Sequence, residues 1–142
     1  MKVCLDTNII VYYLKGMYPH VLTQLQSHLP NEILIPEIVR AELFFGVAQS
    51  QQTERNLERL NAFLAPFERL PFAGDAVERY ADIRADLAMR GQSIGPNDLL
   101  IAATTRAHGA TWATHNTAEF QWVSGLQIED WTQSKTTRRK SS

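Results

Sequence analysis

Hydrophobic residues along the chain fall into short runs that alternate with longer segments of periodic hydrophobicity. The runs have the length of buried strands, and the segments between them repeat every three or four residues, as the buried faces of helices do. This alternation predicts an α/β domain in which a mainly parallel β-sheet is flanked by α-helices. The predicted strands cover residues 3–5, 32–35, 69–72, 111–114 and 126–129.

The segment from residue 75 to residue 90 has the clearest helical pattern. Its apolar positions recur at intervals of three and four residues, and Gly91 follows directly and ends it. On the polar face, Asp86 and Arg90 are spaced as a helical ion pair. The other predicted helices cover residues 8–15, 20–28, 36–49, 53–64 and 96–108.

Length and composition are those of one compact domain. With 142 residues, of which 44% are hydrophobic, the chain can bury a core but is too short for two ordinary domains. We expect residues 1–132 to form this domain. The basic tail, residues 133–142, contains no apolar residue, so we expect it to be disordered.

Charge and hydropathy exclude several classes of protein. A net charge of -1 argues against binding nucleic acid through a large, uniformly positive surface. The longest apolar run, residues 9–14, is far shorter than the roughly 20 residues of a membrane-spanning helix, and no signal peptide precedes it. We therefore expect a cytoplasmic protein that does not enter a membrane.

Zinc and disulfide chemistry are also disfavoured. Cys4 is the only cysteine, so it can form neither an intramolecular disulfide nor a cysteine-based zinc site. The histidines do not have the spacing of zinc ligands; they are His20, His28, His108 and His115.

Asp6 is the first candidate for chemistry. It follows the first predicted strand, and open parallel sheets bind ligands at the carboxyl ends of their strands. The alternative is that Asp6, Thr7 or Asn8 only caps the next helix.

Glu42 is more informative because the residues three and four positions away on its helix are apolar, namely Ile38, Val39 and Phe45. A carboxylate on a buried face needs a cation, a metal or a strong hydrogen-bond donor beside it. The alternative is a position at the rim of the core, with Arg40 or Lys15 as the partner.

Asp98 lies in the first turn of its helix, on the same side as the inward-facing Ile101 and Ala102. The alternative is that the dipole at the helix N-terminus alone favours an acid at this position. Two further candidates follow the strand at residues 111–114. Asn116 offers a neutral oxygen and Glu119 a charged one, and either is also an ordinary turn or cap residue.

Acids from distant parts of the sequence, at strand ends or on inward helix faces, suit a hard divalent cation such as Mg²⁺ or Mn²⁺. Neighbouring polar groups, Thr7, Asn8 and Thr114, are candidates to orient these acids or an attacking water. Lys15, Arg40 and Arg90 are candidate contacts for phosphate, although an exposed Lys or Arg is more often simply solvated.

The sequence resembles the PIN-domain nucleases, and specifically the VapC-type toxins. Three stretches carry the resemblance: VCLDTN at residues 3–8, RAELFFG at 40–46 and GPNDLLIAA at 95–103. Residues 114–120 and 129–131 are also similar to the end of the family pattern, so the resemblance covers residues 2 to about 131.

This resemblance implies a PIN-like fold and a metal-dependent endoribonuclease with Asp6, Glu42, Asp98 and Glu119 as catalytic acids. It implies metal binding by Asp6, Asp98, Glu42 and Asn116. Where some members place a fourth acid after the last inner strand, this chain has Asn116, which leaves one metal or two as open alternatives. The resemblance further implies a homodimer, inhibition by a VapB-type antitoxin, and cleavage of a structured RNA. The first substrate to test is the anticodon region of initiator transfer RNA.

Three alternatives remain. The chain could be a housekeeping PIN-domain ribonuclease without an antitoxin, or an inactive relative that binds RNA or protein. A magnesium phosphohydrolase of the haloacid-dehalogenase kind is disfavoured because its Asp-x-Asp turn would need an acid where this chain has Asn8.

Overall fold

The computed structural model describes residues 1–134, and five parallel strands form its centre. The strands are β1 (Val3–Leu5), β2 (Ile33–Pro36), β3 (Glu68–Leu70), β4 (Thr111–Ala113) and β5 (Ile128–Glu129). Their order is β3-β2-β1-β4-β5, and every neighbouring pair is parallel. The strand order reverses between β1 and β4, and such reversals are where open α/β sheets form their binding crevices.

Helices flank this sheet, as the alternating pattern predicts. Within residues 1–134 they are α1 (Thr7–Leu14), α2 (Pro19–Gln26), α3 (Glu37–Ala48), α4 (Thr53–Leu64), α5 (Asp75–Met89), α6 (Pro96–Ala107) and α7 (Thr117–Phe120). A single 3₁₀ turn, Pro30–Glu32, precedes β2. None of the helices in this part of the chain is long and apolar enough to cross a bilayer. The predicted α/β class is confirmed.

The core lies on both faces of the sheet because helices cover both. All residues of β1, β2 and β4 are buried, as expected for strands of a parallel sheet. The largest fully buried side chains are Trp112, Trp131 and Phe120. Trp112 packs edge-on against Phe120 with ring centroids 5.4 Å apart, which fixes the short helix α7 onto β4.

Several predicted boundaries differ from the structure. Pro36 ends β2 opposite Leu70 and does not lie in the first turn of a helix, because its extended backbone continues the strand by one residue. Strand β3 ends at Leu70, so Phe72 lies outside it. Helix α7 has no counterpart among the predicted elements. Of the predicted disordered tail, Gln133 and Ser134 are described and border a groove beside α2, whereas residues 135–142 lie outside the described part.

The packing of β2 gives a direct test of the fold. Leu34 is 1% exposed and pairs with residues of β1 and β3. We expect Leu34→Ala to lower the free energy of unfolding by about 3 kcal/mol in chemical denaturation, as truncation of a buried leucine does. Leu29→Ala is the matched control because Leu29 is 65% exposed, and it should change stability by less than about 0.5 kcal/mol. Equal losses in the two variants would contradict this assignment of the core.

Candidate active site

Asp6 lies at the carboxyl end of the central strand and caps α1. Its Oδ2 accepts a hydrogen bond of 2.6 Å from the Thr114 hydroxyl, and its Oδ1 accepts one of 2.7 Å from the Thr7 backbone N–H. The side chain is only 7% exposed. Burial, reinforced by the charges of Glu42 and Glu119, raises the pKa of Asp6 to about 6, although the two hydrogen bonds oppose the change.

Glu42 lies on α3, half-buried, and faces Asp6 across the start of α1. Its carboxylate accepts hydrogen bonds from the Thr7 hydroxyl and, at 3.3 Å, from the side-chain amide of Asn97. Arg40 forms its ion pair with Glu37 instead, at 2.7 Å. The partners of Glu42 are therefore neutral donors, and its negative charge adds to that of the neighbouring acids.

Asp98 and Glu119 form a pair on the other side of Asp6. Asp98 lies in the first turn of α6, and Glu119 lies on α7. Burial, the negative charges of Glu119 and Asp6, and a hydrogen bond with Glu119 together raise the pKa of Asp98 to about 7. The remaining contacts of Glu119 are with the Gly95 N–H, at 2.9 Å, and the Asn116 side-chain amide, at 2.7 Å.

A continuous set of hydrogen bonds connects these acids. Thr7 bonds both Asp6 and Glu42, through its backbone N–H and its hydroxyl. Thr114 donates to Asp6 and accepts a hydrogen bond of 2.9 Å from the backbone N–H of Asn116. Asn116 in turn donates to Glu119. Four acids that are far apart in the sequence are thus brought into one pocket at the carboxyl edge of the sheet.

The donor chemistry of this pocket fits a hard divalent cation. Its acids supply carboxylate oxygens only. Burial and, to a smaller extent, mutual repulsion raise the pKa values of Asp6 and Asp98, and a bound cation would offset both effects. Within residues 1–134, no group of three or more His, Cys, Asp or Glu side chains is arranged so that it could hold a metal ion by itself. Mg²⁺ is usually held by one or two carboxylates, with water and substrate phosphate in the remaining positions.

A groove of about 370 Å³ opens onto the acids between α1, α3 and α4. Thr7 and Glu42 form the end of the groove that meets the acid pocket. Its walls are mostly apolar, with contributions from Val11, Leu14, Leu43, Val47 and Leu60. Lys15 and Arg59 add positive charge to the lining, and Arg59 is fixed there by a hydrogen bond to the carbonyl of Leu14.

The structure separates the candidate phosphate contacts. Lys15 is exposed and lines the groove that leads to Glu42. Arg40 pairs with Glu37 and stacks on the ring of Phe44 at 5.3 Å. Arg90 forms the predicted ion pair with Asp86 at 2.6 Å and donates to the carbonyl of Trp122. Lys15 alone of these three lines the groove that contains Glu42. Asn8 is exposed on the first turn of α1.

Sequence reasoning missed two donors of this site, the Asn97 side chain and the Gly95 N–H. Asn97 precedes Asp98 in the run GPND. A polar residue next to a candidate acid is itself a candidate for the site, so the sequence could have predicted this donor. The backbone N–H of Gly95 has no such signal because every residue except proline has a backbone N–H group.

Comparison with known proteins identifies the family of this chain. A family model described as the PIN domain matches residues 3–125. A curated relative, the tRNA(fMet)-specific endonuclease VapC of Shigella flexneri, is 34% identical over 131 residues, which cover 92% of this chain and 98% of that protein. Ribonuclease VapC2 of Rickettsia felis is 38% identical over 130 residues, covering 89% and 96%.

Solved structures of VapBC complexes contain chains with a similar fold. The crystal structure of VapBC2 from Rickettsia felis bound to a DNA fragment from their promoter has a chain with a TM-score of 0.86 and 36% identity, covering 92% of this chain and 99% of that one. DNA-bound VapBC from Salmonella typhimurium also gives 0.86, with 32% identity and coverage of 92% and 98%.

Burial of the acids, together with their mutual repulsion, predicts an unusual dependence of stability on pH when no metal is bound. Because the pKa values of Asp6 and Asp98 are raised on folding, to about 6 and about 7, the folded protein holds protons that the unfolded chain has released. This stabilisation is present below the ordinary aspartate range and is lost as the pH rises through 6 and 7. We therefore expect the Tm of the protein in chelator to fall between pH 5 and pH 8.

The Asp98→Asn variant separates this effect from other titrations. It should have a higher Tm than the wild type at pH 8 in chelator, with a smaller difference at pH 5, and Mg²⁺ should raise its Tm less. Asp82→Asn is the matched control because Asp82 lies on the exposed face of α5. If the Tm values of Asp98→Asn and the wild type depended on pH in the same way, the prediction that folding raises the pKa of Asp98 would be wrong.

Proposed function

The chain belongs to the PIN-domain family, within its VapC ribonucleases, and on that premise we propose that it is an endoribonuclease that depends on Mg²⁺ or Mn²⁺ and acts as the toxin of a toxin–antitoxin pair. The observation that carries this proposal is the convergence of Asp6, Glu42, Asp98 and Glu119 from four separate elements. A phosphodiester is an anion, and four carboxylates alone would repel it. The site therefore needs a cation for binding as well as for reaction.

Asp6, Glu42 and Asp98 are the residues that would hold the cation, with Glu119 and the Asn116 side-chain oxygen as further candidates. When bound, such a cation supplies positive charge that offsets charge developing at phosphorus and favours the hydroxide form of an attacking water. Hydrolysis then breaks one P–O bond of the RNA backbone and adds the elements of water across it.

The residues around the acids keep them in place. The Thr114 hydroxyl and the Thr7 N–H each bond one oxygen of Asp6, so the plane of this carboxylate is fixed while each oxygen keeps a lone pair for a ligand. Asn116 and Gly95 hold the two oxygens of Glu119 in the same way. Such donors reduce the reorganisation that the acids undergo when substrate binds.

RNA is the proposed substrate, and the anticodon region of initiator transfer RNA is its proposed cleavage site. Two relatives, from Shigella flexneri and Salmonella typhimurium, are named as endonucleases specific for tRNA(fMet), at 34% and 32% identity. An exposed loop suits a site of this kind because unpaired nucleotides can be drawn into a pocket, whereas a duplex cannot.

A VapB-type antitoxin is the proposed protein partner, and a second copy of this chain completes the proposed assembly. The related structures from Rickettsia felis, Salmonella typhimurium and Haemophilus influenzae are VapBC complexes. The groove beside α1, α3 and α4 suits an antitoxin segment because its walls are apolar and it ends at Glu42. A cationic side chain at the tip of such a segment would neutralise the acids and exclude a metal.

The proposed activity is tested by mapping RNA ends after brief induction of the wild type and of Asp6→Asn. We expect cleavage in transfer RNA that requires Mg²⁺ or Mn²⁺ and falls at least about 100-fold in Asp6→Asn, since even residues that only orient metal ligands contribute about 10- to 100-fold. Glu37→Gln is the matched control because Glu37 lies on α3 but pairs with Arg40 outside the pocket. Cleavage that persists in chelator, or in Asp6→Asn, would refute a metal-dependent reaction at this site.

The antitoxin is tested at the level of the gene and of the groove. A small open reading frame should lie directly upstream, and its product should co-purify with this chain and suppress the toxicity of the wild type. Val47→Arg should weaken this capture at least tenfold because it places charge in the apolar groove. Val77→Arg is the control because Val77 is 51% exposed on α5, away from the groove. If Val47→Arg captured the antitoxin as well as the wild type does, the groove would not be the antitoxin site. If the wild type were harmless on expression and bound no small protein, a housekeeping ribonuclease would be the better account.

A further inference from the structure

Three aromatic rings gather beside the acid pocket without a role in holding the acids. Tyr12 and Tyr18 have ring centroids 4.9 Å apart, and the His115 ring lies 5.8 Å from Tyr18 and 6.1 Å from Tyr12. We call Tyr12, Tyr18 and His115 the aromatic platform. They come from α1, from the turn that follows it, and from the segment after β4.

The platform is open to solvent. Tyr18 is 37% exposed, and the His115 side chain is 43% exposed. Within the described part of the chain, the hydroxyls of Tyr12 and Tyr18 and the Nε2 of His115 make no hydrogen bond. Exposed rings that also carry free polar atoms can bind a ligand with both an apolar face and polar edges.

The orientation of the His115 ring is fixed from behind. Its Nδ1 lies 3.2 Å from Asp130 Oδ2 and 3.0 Å from the Thr132 hydroxyl. The Thr132 hydroxyl also donates to Asp130 Oδ1 at 2.7 Å. Because a carboxylate accepts hydrogen bonds, Nδ1 carries the hydrogen, and Nε2 points away from these partners. The ring is thus held before any ligand binds.

Tyr18 is held in a backbone conformation that tyrosine rarely adopts. Its φ is +54°, and it is the one residue other than glycine with positive φ in residues 1–134. The backbone N–H of Met17 donates to Tyr12 at 2.8 Å, and the carbonyl of Tyr18 accepts from Val21 at 2.9 Å. Unusual backbone conformations of this kind persist where the surrounding structure enforces them, and they concentrate at ligand sites.

The platform adjoins the acids through the chain itself. His115 stands between Thr114, which bonds Asp6, and Asn116, which bonds Glu119. Tyr12 lies one helical turn beyond Asn8 on the same face of α1, whose first residue follows Asp6. Because the platform is joined to the segments that hold Asp6 and Glu119, an RNA strand bound at the acids could place a neighbouring nucleotide against it.

We propose that the aromatic platform binds a nucleobase of the RNA substrate by stacking, next to the nucleotide that is cleaved. This inference rests on the proposed function, because it names how the same site selects its substrate. Single-stranded RNA is commonly recognised by bases stacked on tyrosine or histidine rings, which every base can do. The free Nε2 of His115 adds a hydrogen bond that distinguishes one base from another.

The test compares Tyr18→Ala, Tyr18→Gly and Tyr18→Phe with the control Met17→Ala, in which a neighbouring exposed but non-aromatic side chain is removed. The substrate is the anticodon stem–loop of initiator transfer RNA, and KM and kcat are measured separately. Tyr18→Ala and Tyr18→Gly should each raise KM about tenfold with kcat within about twofold, since a stacked base contributes this much to binding. Tyr18→Phe and Met17→Ala should behave as the wild type.

The agreement of the alanine and glycine variants matters because glycine relieves the positive φ and alanine does not. If only one of them were affected, the backbone and not the ring would be responsible, and the proposal would be wrong. An equal loss in Tyr18→Phe, or a fall in kcat with KM unchanged, would also overturn it. Substrates that lack a single base near the cleaved bond give a further check. At one position, loss of the base should raise the KM of the wild type to that of Tyr18→Ala. The KM of Tyr18→Ala should not change when the same base is removed.

Binding without cleavage separates this inference from the proposed function. The Asp98→Asn protein, with and without Tyr18→Ala, is titrated with the fluorescently labelled stem–loop and, separately, with the antitoxin. Weaker RNA binding by the double variant supports the platform even if the wild type cuts no RNA, a result that would defeat only the proposed function. Equal RNA binding by both proteins would overturn the platform, and weaker antitoxin binding alone would reassign the three rings to the protein partner.

Discussion

The burial of several carboxylates beside one another is the constraint on which the rest of this structure depends. Four acids that would separate in a flexible chain are held together at one edge of a parallel sheet, and the raised pKa values of Asp6 and Asp98 record the cost of that arrangement. Two threonine hydroxyls, an asparagine amide and backbone N–H groups offset part of this cost by donating hydrogen bonds to the acids. The remaining charge is what a cation or a cationic partner would neutralise.

The sheet provides the rigidity that such a pocket requires. Strand β1 has a neighbour on each side and is fully buried, so Asp6 extends from the centre of the sheet. Helix α1 then divides the surroundings of the pocket. Val11 and Leu14 line the apolar groove, whereas Tyr12 belongs to the aromatic platform. A protein inhibitor and a nucleic-acid substrate can thus approach the same acids from different faces of one helix.

The sequence predicted the helices that have a strong period and missed α7, which is too short to have one. Helix α5 was clear because Ile83 and Leu87 are buried while Asp86 and Arg90 pair on its polar face. Helix α7, with four residues, shows no periodicity, yet it carries Glu119. The acids were found from their inward positions, but the N–H of Gly95 and the conformation of Tyr18 have no signature in residue type. Hydrogen bonds by the backbone and enforced backbone angles become visible only in three dimensions.

The wide spacing of the acids along the chain has a consequence for how the protein is made. A ribosome releases the residues in order, so Asp6 and Glu42 emerge long before Glu119, and β4 must dock on β1 before Thr114 reaches Asp6. A growing or shortened polypeptide therefore lacks half of the pocket. The acid pocket, and with it the proposed activity, can therefore form only when translation is nearly finished.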